Sequence, residues 1–159
     1  MGMDAQAPWG LEAVPLPDSE RAVKSLLASM PAEIEGLPRQ PIVGSEVDYG
    51  DRGMGRMAGS MEVFLRVMTL GGPGTQFGTG APFVRAMVDS GGIGSESKNL
   101  DPNAPLVYAA GTTPAGDTTY YSAMWAAPDS RYVFLVQATS EAQRLALVEA
   151  FTEAAGATS

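Results

Sequence analysis

The stretch TTYYSAMWAAPDSRYVFLVQATSEAQRLALVEAFTEAAG (118–156) decides how this chain folds. Aromatic and β-branched residues crowd 118–126 and 131–138, and such side chains favour extended, half-buried backbone. Between the two runs stands Ala127-Pro128-Asp129-Ser130, whose Pro and Asp are turn formers, so the segment reads as a β-hairpin. Tyr120, Tyr121, Trp125, Tyr132 and Phe134 supply its cross-strand aromatic contacts. Strand alternation places Tyr120, Ser122 and Met124 on one face and Tyr121, Ala123 and Trp125 on the other. One face covers a core, and the other carries a pocket, a partner surface or a helix. A helix follows at once. Ser140 and Gln143 form a capping-box pattern, Leu145, Val148, Phe151 and Ala155 recur at helical spacing with Leu147 flanking, and Gly156 closes it.

Working upstream, PLVYAAG (105–111) reads as a strand and Thr112 to Asp117 as a turn. The segment GGIGSESKNLDPNAP (91–105) reads as a loop. A short helix is expected over 81–90, with Pro82 suited to its first turn. MEVFLRVMTL (61–70) is apolar on both faces, with only Glu62 and Arg66 interrupting the second, so it should be a central strand covered on both sides. A weaker strand is expected over 42–49. The three prolines of PAEIEGLPRQP (31–41) predict an extended connection. Before it, Asp18 or Ser19 caps a helix whose stripe is Ala22, Val23, Leu26, Leu27 and Met30, ended by Pro31. Residues 1–17 read as a flexible tail able to dock through Trp9 and Leu11, and 157–159 as a C-terminal tail.

Successive strands joined by short turns, with amphipathic helices between them, predict an α+β fold. The expectation is a single α/β/α-type sandwich over 18–156. Its sheet is mainly antiparallel with about five strands, and helices lie near 19–30, 81–90 and 140–155. At 159 residues there is room for one such domain.

Composition excludes whole chemistries. The chain has no Cys and no His, which removes disulfides, thiol nucleophiles, zinc sites built on those ligands and every imidazole-based triad. No catalytic residue, metal site or cofactor is assigned. A net charge of −8 repels nucleic acid and anionic membranes at long range, although a local basic patch can act against that background. No run is long and apolar enough to span a bilayer. The preference for Arg over Lys, with abundant Ala and Gly, matches a GC-rich bacterial source. If Met1-Gly2-Met3 stands ahead of a trimmed protein, a signal or anchor has been removed and the protein is extracytoplasmic; otherwise it is cytoplasmic.

Several constellations invite a functional reading. The glycine loop 71–80 lies between a strand and a helix, as phosphate-binding loops do, but no Lys-Ser or Lys-Thr pair follows it; a flexible connection explains it. Arg52 and Arg56, in Arg52-Gly53-Met54-Gly55-Arg56, could grip an anion or simply solubilise a hairpin loop. Asp48, Asp51, Glu33, Glu35, Glu96, Asp101 and Asp117 supply loop carboxylates, and general acid–base chemistry needs two of them in one pocket. Asp101 and Asn103 suggest a loose calcium site without the ligand spacing of an EF-hand. The candidate binding residues are Arg52, Arg56, Tyr120, Ser122 and Trp125.

The Tyr-rich strand, tight turn, RYVFLVQA and SEAQRLALVEAFTEAAG together resemble the end of the PsbP-like fold. That group includes photosystem accessory proteins and actinobacterial lipoproteins of the LpqN kind. The resemblance spans 40–156 in outline and rests on element order. The helix at 19–30, followed by a three-proline connector, departs from the pattern. It implies a non-enzymatic binding or accessory domain whose partner is another protein or a small ligand. The alternatives are a small-molecule-binding protein or enzyme using Asp48, Asp51 or Asp117 with Tyr49 or Tyr120, and a structural subunit that self-associates through a sheet edge.

Overall fold

The hairpin forms as its alternation dictates, with Thr118–Ala126 (β7) antiparallel to Tyr132–Ala138 (β8) and Trp125 opposite Phe134. The structure is a computed structural model that describes residues 10–50, 62–71, 78–94, 96–101 and 103–158. Around the hairpin the other strands add outward. Val63–Thr69 (β4) pairs with β8, and Glu46–Tyr49 (β3) pairs with β4. On the far side Val107–Ala115 (β6) pairs with β7, and Ser97–Asn99 (β5) with β6. The result is one antiparallel sheet of six strands, ordered β3-β4-β8-β7-β6-β5.

Helices lie on both faces. Glu20–Ala28 (α1) and Glu141–Thr158 (α3) share a core with Leu65, Val67, Trp125, Phe134 and Val136. Gly80–Asp89 (α2) packs on the opposite face against Met68, Val107, Ala109, Met124 and Val133. Val63, Leu65 and Val67 of β4 face the first core and Met68 the second, as an interior strand with helices on both sides allows. In the first core Phe151 meets Trp125 edge-on and Phe134 at a tilt, each at a centroid distance of 5.0 Å. Such pairs add about 1 kcal/mol beyond area burial.

Helix termini are capped much as the sequence suggests. Ser19 accepts from the Ala22 amide at 3.1 Å, and Ser140 from the Gln143 amide at 3.2 Å. The Gln143 side chain reaches back to the Thr139 amide, one residue before the cap. Arg39 donates to the carbonyl of Met30 at 2.6 Å, placing a cation where the dipole of α1 ends.

Five details of the sequence reading need correction. The connector 31–41 contains a small antiparallel hairpin, Glu33–Ile34 (β1) with Leu37–Pro38 (β2), because Glu35 and Gly36 both take positive φ, 49° and 81°, at its turn. The loop 91–105 contributes β5, a sixth strand of the sheet that its Gly, Ser and Asn composition concealed. Thr112 to Ala115 continue β6, so the turn is only Gly116-Asp117, with Gly116 at φ 65°. Gly156 lies inside α3 rather than ending it. Finally, the buried stripe of α3 is Arg144, Leu147, Val148, Phe151, Ala154 and Ala155, while Leu145 is only half-buried.

Leu11 docks as expected and is wholly buried, and residues 11–13 form a 3-10 turn. Trp9 lies outside the described residues. The outer edge of β3 is closed by the preceding chain, with Gln40 donating to the Asp48 carbonyl and Gly50 to that of Pro38. At the other edge β6 runs past β5, and Pro114 stands in the uncovered part, a placement that discourages pairing with another chain.

Candidate functional site

The face that carries α2 changes character along its length. Met124 sits beneath α2, so period-two alternation puts Ser122 and Tyr120 on the same face, further from the helix. Register extends this across the sheet. Asp48 pairs with Phe64, Phe64 with Gln137, Gln137 with Ser122 and Ser122 with Gly111, giving one transverse row. At the usual strand spacing, Asp48 and Ser122 stand about 14 Å apart. The neighbouring row, nearer α2, begins Glu46, Arg66, Leu135.

These side chains are interlinked. Tyr120 donates its phenol to Glu62 Oε2 at 2.8 Å, and Gln137 Nε2 donates to the Glu62 carbonyl at 3.3 Å. Arg66 Nε donates to Glu46 Oε1 at 2.6 Å, and its guanidinium lies 4.6 Å above the Phe64 ring. Glu46 is mostly buried in this pair while Arg66 stays partly open. Asp48 is buried at 1% exposure, unlike the solvated loop acid its sequence context suggests. Tyr120, Ser122, Gln137 and Glu62 are all half-buried. The polar end therefore offers hydrogen-bond donors, acceptors and a cation stacked on an aromatic ring within one surface.

The candidate residues fall in different places. Tyr120 and Ser122 lie together at this polar end. Trp125 lies on the other face, with no exposed surface, between Phe134 and Phe151. Arg52 and Arg56 lie outside the described residues, as does Asp51. Tyr49 faces the α1/α3 side and donates to the Pro31 carbonyl at 2.8 Å; burial pushes its phenol up to about 12, with Arg39 opposing. Asp117 is exposed in the β6–β7 turn, away from Asp48. Asp101 accepts from the Asn103 amide at 2.9 Å, an Asx turn that explains the Asp-Pro-Asn triplet without a metal. Among the described residues no group of three His, Cys, Asp or Glu could hold a metal.

Two polar clusters escaped the sequence reading. Glu62, Arg66 and Gln137 carried a faint signal, since they interrupt otherwise apolar strands. Arg144 carried none. It is 5% exposed on α3 and donates to the carbonyls of Gly111 and Ser122 at 3.2 and 3.3 Å and to Glu96 at 3.0 Å. Its guanidinium lies 5.5 Å from the Tyr121 ring. Beside it burial pushes the Tyr108 phenol up to about 12, Arg144 opposing and Glu96 reinforcing the shift. Arg144 thus ties α3 to the β6–β7 ribbon and to the segment before β5. At the crossing Gly111 has no room for a side chain, because a Cβ would stand 1.1 Å from the Gly94 carbonyl oxygen.

A groove of about 520 Å³ lies elsewhere, between the β1–β2 hairpin and α3. Its rim is Glu33, Glu35, Glu149 and Glu153 and its floor mainly alanine, so it lacks the mixed donors and acceptors of the polar end. Comparison with protein-family models, curated proteins and solved structures gives no match for this chain, so a functional reading rests on the geometry of its own residues.

Proposed function

We propose that this protein is a non-enzymatic binding or accessory domain that takes its partner on the polar end of the α2 face. The partner is another protein or a small ligand. One observation carries the reading: α2 covers only part of its face, and beyond it Tyr120, Ser122, Gln137, Glu62 and Arg66 form a half-buried polar patch around Phe64. Aromatic and Arg side chains of this kind supply most of the energy at binding surfaces. The resemblance to PsbP-like accessory proteins agrees with this, because helices flank an antiparallel sheet and the chain ends strand, turn, strand, helix. An extracytoplasmic or surface-tethered setting belongs to the same proposal.

The alternative of a small-molecule site or enzyme draws on Asp48, a buried carboxylate in the same row as Ser122. Self-association through a sheet edge has less in its favour, since the chain before β3 covers one edge and Pro114 interrupts the other.

Photo-cross-linking tests the proposal. A photoreactive residue replacing Tyr120 is expected to give discrete adducts in an extract of the source cells. Excess unlabelled protein should abolish them, and a Gln137→Ala variant should compete poorly. A probe at Ser25, exposed on α1, should give none of these adducts. Equal labelling from both positions would contradict the assignment.

A further inference from the structure

We propose that the turn before β3, around Ile42 and Val43, is a contact surface for an anionic lipid bilayer. Ile42 and Val43 are the exposed large hydrophobic residues among those described, at 38% and 51% exposure. They stand on a convex, constrained tip. Val43 and Glu46 exchange backbone hydrogen bonds of 3.3 and 3.2 Å, and Gly44 turns the chain at φ 60°. Gly44 and Ser45 continue from this tip into a groove of about 430 Å³ that they share with Lys24, Arg131, Tyr132 and Glu20.

The groove brings together cations that lie far apart in sequence. Lys24 contacts Glu20 at 3.3 Å, but both side chains are more than two-thirds exposed, so water competes strongly with this pair. Arg131 uses Nε on the Leu70 carbonyl at 3.1 Å, and its terminal nitrogens have no partner among the described residues. Ser45, Thr69 and Tyr132 add hydroxyls at the same wall. In a chain of net charge −8 this is a local donor-rich island. At physiological salt the Debye length is about 8 Å, so the island rather than the whole chain governs close contact.

A bilayer suits this geometry better than a protein groove does. A convex apolar tip enters a fluid interface without a matching pocket, while Lys, Arg and Tyr sit naturally among headgroups. The contact needs no spanning segment, and no helix among the described residues is long and apolar enough to cross a membrane. Tyr132 begins β8 while the polar row meets its far end, so a bilayer here would lie about 20 Å from Tyr120. The two surfaces adjoin at Glu46, which bridges Val43 and holds Arg66, but vesicle binding is read without any protein partner.

Vesicle co-sedimentation of the intact chain tests it. Wild type is expected to sediment with phosphatidylcholine–phosphatidylglycerol vesicles and not with phosphatidylcholine alone. Ile42→Ser with Val43→Ser should abolish binding, and Lys24→Glu with Arg131→Glu should weaken it at least tenfold, given about fivefold for each charge near the surface. All four positions are outside the core, and unchanged thermal unfolding midpoints would establish that the variants fold. A second arm titrates inorganic phosphate and follows amide shifts at Lys24 and Arg131. Saturable phosphate binding without vesicle binding would overturn the lipid assignment in favour of a soluble-anion site. Vesicle binding indifferent to both double variants, or no vesicle binding at all, would overturn it as well.

Discussion

The two faces of the sheet use the same strands for opposite purposes. The face toward α1 and α3 is apolar from Val47 across to Tyr108, and its polar intruder, Arg144, is met by two carbonyls and a carboxylate. The face toward α2 is apolar beneath that helix and, around Phe64, turns largely polar from Glu46 and Arg66 to Ser122 and Tyr120. Trp125 and Tyr120 lie five residues apart on one strand and illustrate the division. Trp125 has no exposed surface and stacks with Phe134, whereas Tyr120 is half-buried and spends its hydroxyl on Glu62. Ring packing holds Trp125 although its buried indole N–H has no acceptor among the described residues, while half-buried polar groups are of the kind a partner surface uses.

Truncating both aromatics separates the two faces most strongly. Trp125→Ala should cost about 3–5 kcal/mol in urea unfolding, because the vacated volume lies among packed rings. Tyr120→Ala should cost clearly less, about 1–2 kcal/mol, because this side chain is only half-buried. Similar losses would show that the polar end is structural.

Gly111→Ala comes next in size. The added methyl must displace the Gly94 backbone, a loss of about 3 kcal/mol by the usual cost of overpacking. Arg144→Ala should cost about 2 kcal/mol by stripping two strand carbonyls of a donor. It should also raise amide exchange in 94–99 more than in β4. Uniform exchange changes would contradict the tethering role.

Alkaline pH separates the faces by a smaller, graded effect. Tyr49 and Tyr108 both lie on the α1/α3 side, with phenols raised by burial to about 12 against 10 unfolded. The folded state therefore retains these protons longer than the unfolded chain. Their stabilisation is fully present below pH 10 and is lost as pH rises through 12, by up to about 1 kcal/mol per unit for each. Urea midpoints from pH 8 to 12 should fall accordingly, and Tyr108→Phe should flatten the decline. A decline unchanged in both single phenylalanine variants would locate its cause elsewhere.

What could be read from sequence follows the same division. Strong periodicity exposed α1, β4, β7, β8 and α3, and alternation alone set Ser122 and Trp125 on opposite faces. Elements held by specific tertiary contacts stayed hidden. β5 is three residues, Ser97, Lys98 and Asn99, with no apolar pattern, and it pairs because β6 offers an edge and Arg144 anchors Glu96 beside it. The stripe of α3 was set one position off at Leu145 because a buried arginine at position 144 is legible only with its partners in place. The polar row was half legible. Tyr120 and Ser122 share a strand, but joining them to Asp48, Phe64 and Gln137 requires the register of four strands, which no local pattern encodes.

If the polar patch serves partner capture, it is dispensable for folding and needed for binding. A Tyr120→Ala/Gln137→Ala double variant, used to compete with cross-linking from a photoreactive residue at 120, measures both. It should unfold within about 8 °C of wild type, the shift expected for a loss of about 2 kcal/mol in a chain this size, and fail to compete for the adducts. A folded double variant that competes as well as wild type would contradict the account.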